Sequence, residues 1–86
     1  MTRDEILIEL KDIIICQQNQ HIDIDENTRL GDVVGINCIT LSSLEYVELI
    51  VEIENRFNVI VDFDVDLFVI KDIIDYIIHY SENAFN

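Results

Sequence analysis

The chain has 86 residues, half of them apolar, and its 18 acidic and 5 basic side chains give it a formal net charge of −13. A chain of this length can bury one core and leaves no room for a large substrate cleft, which argues against a self-contained multistep enzyme. The acidic surface disfavours nucleic acid and anionic membranes, and it favours partner proteins with basic patches.

The N-terminal residues also bear on location. They include acids where a secretory signal has its basic region, and no apolar run approaches the ~18 residues that a membrane span needs. We therefore expect a cytoplasmic protein without stable membrane insertion. The chain has no proline and only two glycines, and nothing in it marks an internal boundary, so we predict one domain over residues 1–86.

The first predicted element is a helix over residues 3–18. Thr2 and Glu5 have the spacing of a capping box, in which each side chain binds the backbone N–H of the other residue. Apolar residues then recur at helical spacing. Residues 19–41 show no convincing periodicity, and their apolar side chains favour a long loop that packs over one end of the core.

The second predicted helix spans residues 43–57 and begins with another capping box, Ser42 and Glu45. On a helical wheel its apolar residues occupy one half, which predicts the buried side, and three glutamates share a narrow arc on the other half. Repulsion among these glutamates hints at an external basic partner. The apolar half consists of Leu44, Val47, Ile50, Val51 and Phe57, and the glutamates are Glu45, Glu48 and Glu52.

The C-terminal third contains one ambiguous segment and one clear helix. Asn58 to Phe68 alternates apolar residues with aspartates, a pattern typical of a strand. A lone strand has no pairing partner in a helical chain, so we predict a short third helix over residues 62–67. An isoleucine stripe at helical spacing then predicts a last helix over residues 69–80.

The sequence contains no recognisable motif for catalysis or metal binding. Asp62, Asp64 and Asp66 resemble the start of an EF-hand loop, but Leu67 and Ile73 stand where the loop needs glycine and glutamate. His21 and His79 are far apart, and neither lies within a metal-binding spacing or beside a nucleophile. We therefore predict no catalytic residue and no metal site.

One stretch resembles a known family. Leu41-Ser42-Ser43-Leu44-Glu45-Tyr46-Val47-Glu48-Leu49 is similar to the phosphopantetheine attachment motif of acyl carrier proteins, G-x-D-S-L followed by a V-E-L helix. Residues 27–30, 54–57 and 69–77 also resemble the family, so the likeness covers nearly the whole chain. Two residues depart from the motif: Thr40 replaces its glycine and Ser42 replaces its aspartate.

The resemblance implies an all-α fold, an acyl-carrier-like four-helix bundle with a long first loop and a short third helix. It assigns Ser43 as the attachment site of 4′-phosphopantetheine from coenzyme A, and makes Ser42 the helix N-cap and the less favoured attachment site. Glu45, Glu48 and Glu52 would dock basic partners, with Leu49 at the interface and Val51 in an acyl pocket.

The function implied by the resemblance is that of a monomeric carrier and not an enzyme. Acyl groups would be held as thioesters for fatty-acid, polyketide or related biosynthesis. The expected partners are a phosphopantetheinyl transferase and the acyl-transfer and condensing enzymes with basic docking patches. Two alternatives stay open: a D-alanyl or aminoacyl carrier, and an unmodified acidic interaction module of the same fold.

Overall fold

A computed structural model of the chain describes residues 1–62 and 64–83, with only the backbone described for residues 82 and 83. This part of the chain contains three helices and two short strands. In chain order they are α1 (Arg3–Gln18), β1 (Arg29–Gly31), β2 (Cys38–Thr40), α2 (Ser43–Phe57) and α3 (Ile70–Asn83). None of the helices in the described ranges combines the length and the apolar character needed to cross a membrane.

Helix α1 begins with the predicted capping box. Thr2 Oγ1 accepts a hydrogen bond from the Glu5 N–H at 3.2 Å, and Glu5 Oε1 accepts one from the Thr2 N–H at 3.1 Å. The helix ends where Asn19 adopts a left-handed conformation, with φ of 53°. Asparagine tolerates this conformation better than most residues, so the sequence itself stops the helix here.

The core lies where α1 packs against both α2 and α3. Each helix contributes a stripe of buried aliphatic side chains, and the strands and the segment before α3 add a few more. Burial of each such side chain is worth about 1.5–3 kcal/mol, so these stripes supply most of the drive to fold. The helical members are Ile6, Leu10, Ile13, Ile14, Leu49, Ile53, Ile70, Ile73, Ile74 and Ile77.

The segment predicted as a long loop contains a small parallel sheet. β1 pairs with β2 in the register Leu30 to Ile39, and both of these side chains are buried. A buried backbone needs hydrogen-bond partners, which the loop finds by pairing with itself and with the segment before α3. There the Leu30 N–H donates to the Phe68 carbonyl oxygen at 2.7 Å.

A hydrogen-bonded cluster of Asp25, Thr28 and Asn37 joins the residues before β1 to the residue before β2. The Thr28 hydroxyl is buried; it donates to Asn37 Oδ1 at 2.7 Å and accepts from the Asp25 N–H at 2.9 Å. Asn37 is left-handed, with φ of 57°, and its amide donates to Asp25 Oδ1 at 3.1 Å. We call these three residues the loop lock.

The predicted short helix over residues 62–67 is wrong for the residues that the structure describes, and Phe63 lies outside them. Asp62 and residues 64–67 are not helical, and one backbone hydrogen bond, from Val65 N–H to the Asp62 carbonyl, marks a single turn. The backbone here bonds to other elements instead. The Val61 N–H donates to Glu54 Oε2 at 3.0 Å, and the Leu67 N–H donates to the Tyr46 hydroxyl at 3.0 Å.

The predicted fold class is therefore confirmed in part. The described chain is mostly helical, as expected, but it has three helices and a two-stranded parallel sheet where an all-α four-helix bundle was predicted. The difference arises because the two segments without helical periodicity bury their backbones against each other. An isolated antiparallel bridge between Arg29 and Val69 joins them, next to the bond from Leu30 to Phe68.

Candidate functional site

The site begins at Ser43, the first residue of α2. Its side chain is exposed and lines an open groove with a volume of about 700 Å³. One wall of the groove comes from β1 and the residues after it, the other from the first turn of α2 and Phe68. A hydroxyl in this position lies where the first N–H groups of a helix have no intrahelical acceptors, an environment that favours an anion.

The preceding residue, Ser42, caps the helix as predicted. Its Oγ accepts from the Glu45 N–H at 3.2 Å, and its own N–H donates to Glu45 Oε1 at 2.9 Å. Its carbonyl oxygen accepts from the Tyr46 N–H at 2.9 Å. Ser42 and Ser43 are both exposed, but only the Ser42 hydroxyl is engaged in holding the helix start.

Glu45 has more internal contacts than the other glutamates of its arc. Besides the capping box, its Oε2 accepts from Gln18 Nε2 at 3.3 Å, and its carbonyl oxygen accepts from Gln17 Nε2 at 2.7 Å. The Ser42 N–H, followed by the Ser42 hydroxyl and Gln18, holds the pKa of the Glu45 carboxyl below its usual value. Glu48 and Glu52, in contrast, are both exposed.

Leu49, predicted to lie at a partner interface, is fully buried in the core. The side of α2 that faces the core is centred on Leu49 and Ile53, not on the apolar half that the helical wheel indicated. Leu44, Val47 and Val51 are instead 67%, 55% and 46% exposed. So many residues of α2 are apolar that the wheel does not define one buried side, and packing against α1 and β1 makes the choice.

Tyr46 is a site residue that the sequence reasoning missed. Its ring packs on Phe68 with ring centroids 5.3 Å apart, and its hydroxyl accepts from the Leu67 N–H. Burial raises the pKa of the Tyr46 phenol above its usual value. No local signal marked this residue, because both of its partners lie more than 20 positions away in the sequence.

Gly31 lies against Phe68 of this aromatic pair in the lining of the groove. Its φ of +115° is one that residues with a side chain rarely adopt, and a Cβ there would stand 3.4 Å from the Phe68 ring. The Tyr46 and Phe68 rings and the backbone of β1 thus form the inner surface beside Ser43.

A second open groove, with a volume of about 540 Å³, is lined by residues of α1 and α2. Val47 and Val51 line it together with Glu48 and Glu52. At one end Arg56 binds Glu9 at 2.8 Å and Asp12 at 3.2 Å, which ties α2 to α1. Among the side chains of residues 1–62 and 64–81, no group of three or more His, Cys, Asp or Glu is arranged to hold a metal ion.

The fold and the site define a small, acidic, mostly helical domain that presents a serine at a helix start beside exposed glutamates. Comparison with known proteins agrees. The chain is 32% identical over 82 residues to the acyl carrier protein of Karelsulcia muelleri (strain GWSS), a match that covers 93% of this chain and 94% of the relative. No family model matches the chain, and no solved structure matches it. On this identity and coverage, the chain belongs to the acyl carrier protein family.

Proposed function

We propose that this chain carries acyl groups as thioesters on 4′-phosphopantetheine attached to Ser43. The observation that supports this most strongly is that the two adjacent serines differ in their hydrogen bonding. Both serines are exposed and line the open groove, but the Ser42 hydroxyl is engaged in the capping box, whereas the Ser43 hydroxyl, at the first position of α2, takes no part in it. A transferase can therefore reach the Ser43 hydroxyl without opening the helix.

The residues around Ser43 fit this prosthetic group. A phosphodiester on Ser43 Oγ would lie at the positive end of the helix dipole, which stabilises an anion by about 0.3–1 kcal/mol at an exposed site. Ser42 caps the helix without adding a negative charge beside it. When bound, the group supplies a terminal thiol that takes up acyl groups, while the chain itself holds and presents the arm and performs no catalysis.

We further propose that α2 docks the partner enzymes through a surface made of Glu48, Glu52 and the exposed apolar residues Leu44, Val47 and Val51, here called the docking face. The carboxylates attract basic patches on a phosphopantetheinyl transferase and on acyl-transfer and condensing enzymes. The apolar side chains, which the fold leaves exposed, can be buried by such a partner. Leu49 has no place on this face, because it lies in the core.

The decisive experiment is intact-mass spectrometry after incubation with coenzyme A and a phosphopantetheinyl transferase. We expect wild type and Ser42→Ala to gain one phosphopantetheine and Ser43→Ala to gain none. Ser42→Ala is the matched control, since it removes the neighbouring hydroxyl and weakens the cap by about 0.5–2 kcal/mol while leaving Ser43 in place. Wild type that gains no mass would point to the unmodified interaction module.

The same measurement on protein purified from its own cells identifies the cargo. A fatty-acyl or polyketide thioester supports biosynthesis of those products, whereas an amino acid on the arm would make the chain an aminoacyl or D-alanyl carrier. Treatment with hydroxylamine should release either cargo, because it cleaves thioesters, and should leave the phosphodiester on Ser43 intact.

A further inference from the structure

Two adjacent glutamines at the end of α1 contact the start of α2. Gln17 Nε2 donates to the Glu45 carbonyl oxygen at 2.7 Å, and Gln18 Nε2 donates to Glu45 Oε2 at 3.3 Å. Both bonds are partly buried and join residues 27 and 28 positions apart in the sequence. Together with the capping box they place Glu45 at the centre of the contacts around the helix start.

We propose that Glu45, held by Gln17 and Gln18, is a positioning residue for Ser43 and does not dock partners. This inference rests on the proposed attachment at Ser43. It divides the acidic arc of α2 into two roles, with Glu45 fixing the first turn of the helix and the exposed Glu48 and Glu52 meeting the partner.

The positioning role follows from where helices are weakest. The first turn has N–H groups without intrahelical acceptors, so it frays unless side chains hold it. Ser43 is the first residue of that turn. Glu45 closes the turn from within by binding the Ser42 N–H, and the glutamines, the last two residues of α1, bind Glu45 from outside.

A docking role conflicts with the same contacts. Glu45 Oε1 is bonded to the Ser42 N–H and Oε2 to Gln18, so both carboxylate oxygens already have donors. A basic partner side chain would have to use the remaining lone pairs of these oxygens, and in doing so it would pull on the carboxylate that holds the first turn beside Ser43. Glu48 and Glu52 take no part in the capping box, and both are exposed, so a partner can bind them without disturbing the helix start.

The test compares the steady-state kinetics of phosphopantetheinyl transfer for wild type and four variants at low and high salt. E45A removes the carboxylate. E45Q has no charge; its Oε1 can still accept from the Ser42 N–H, and its NH2 can donate to Gln18 Oε1 once the Gln18 amide turns over. Q18A removes one external contact without a change in charge. E48Q is the matched control for charge alone.

We expect E45A and Q18A to lower kcat with KM nearly unchanged, E45A by about fivefold or more, because a misplaced nucleophile reacts slowly. E45Q should restore kcat to within about twofold of wild type, since its geometry survives. E48Q should raise KM at low salt and lose this effect at high salt, as screening weakens docking. Amide hydrogen exchange of residues 45 and 46, whose N–H groups bond to the Ser42 hydroxyl and carbonyl oxygen, should quicken in E45A and Q18A, while that of residue 53 stays slow.

The opposite pattern overturns the inference. If E45Q raised KM as much as E45A and salt abolished both defects, Glu45 would be a docking charge. If Q18A and E45A matched wild type in both kcat and hydrogen exchange, the contacts would have no positioning role. Wild type that accepts no phosphopantetheine would refute the attachment at Ser43 as well, so failure of the proposed function is distinguishable from failure of this inference alone.

Discussion

Leu49 and Val51 lie two positions apart on α2 and have opposite surroundings. Leu49 has no exposed surface and contacts the core, whereas Val51 lines the groove between α1 and α2. The side chain of the first therefore contributes to stability and that of the second remains available to a partner. Ser42 and Ser43 are both exposed and differ in hydrogen bonding instead, because the boundary of α2 falls between them and only Ser42 caps the helix.

Substitution of each residue by alanine should separate these roles. Leu49→Ala leaves a cavity in the core and should lower the free energy of unfolding by about 2–5 kcal/mol. Val51→Ala removes a half-exposed side chain, so the loss should stay below about 1 kcal/mol. Urea denaturation followed by circular dichroism measures both. Similar stability losses in the two variants would contradict the packing of α2 described above.

At the scale of elements, the loop lock decides where β1 and β2 lie. The lock joins the residues before β1 to Asn37, which directly precedes β2, and β1, which pairs with β2, lines the Ser43 groove. The Asn37 carbonyl oxygen accepts from the Arg29 N–H at 3.0 Å, and the buried Thr28 hydroxyl bonds to both Asp25 and Asn37. The lock thus connects a loop conformation to the shape of the site.

Removal of the Thr28 hydroxyl should loosen the loop. Thr28→Val keeps the volume but removes the buried hydroxyl and its bonds to the exposed residues Asn37 and Asp25, at a cost of about 0.5–1.5 kcal/mol per bond. Amide hydrogen exchange at residues 29 and 30 should quicken before the helices unfold. Asn37→Gly and Asn37→Ala form the matched pair, since glycine accepts the positive φ and alanine does not, and the alanine variant should be the less stable.

The lock should also open in acid. The Asn37 amide, followed by the Asn27 N–H and the contacts with Thr28, holds the pKa of Asp25 below its usual value of 3.8. Because the folded-state pKa is the lower one, the contribution of Asp25 is complete above about pH 4 and is lost as the pH falls through that lower pKa. NMR spectra of the Asn37 side-chain amide recorded down to pH 2 should follow this loss, and Asp25→Asn should remove the dependence.

At the scale of the whole molecule, the few cations are used to join elements. Arg3 binds Glu26 in the loop and Asp75 on α3, and Arg56 on α2 binds Glu9 and Asp12 on α1. With 18 acids and 5 basic residues, most carboxylates have no cation of their own. The folded state therefore brings together negative charges that the unfolded chain holds farther apart.

Salt should stabilise the molecule for this reason. At 0.1 M ionic strength the Debye length is about 10 Å, so dissolved ions weaken the repulsion between carboxylates on the surface. The melting temperature should rise steadily as sodium chloride is added. Replacement of both Glu48 and Glu52 by glutamine should raise the melting temperature at low salt and make it less dependent on salt. A melting temperature that did not respond to ionic strength would contradict this distribution of charge.

The sequence by itself determined the features that depend on neighbours along the chain. The capping boxes at Thr2 and Ser42 could be predicted because each involves residues three positions apart. The mostly helical class followed from apolar periodicity, and the family from the residues around Ser43. In each of these cases a local interaction or a short motif is sufficient, so no knowledge of packing was needed.

Only the tertiary structure decided the features that depend on distant residues. Apolar side chains surround much of α2, and it is packing against α1 and β1 that buries Leu49 and leaves Leu44, Val47 and Val51 exposed. The sequence of the segment before α3 alternates like a strand, and a short helix was predicted for it, but its described residues form neither. Its backbone groups bond to Leu30, Tyr46 and Glu54, because a buried backbone group needs a hydrogen-bond partner. These partners come from other parts of the sequence, so only the folded chain brings them together.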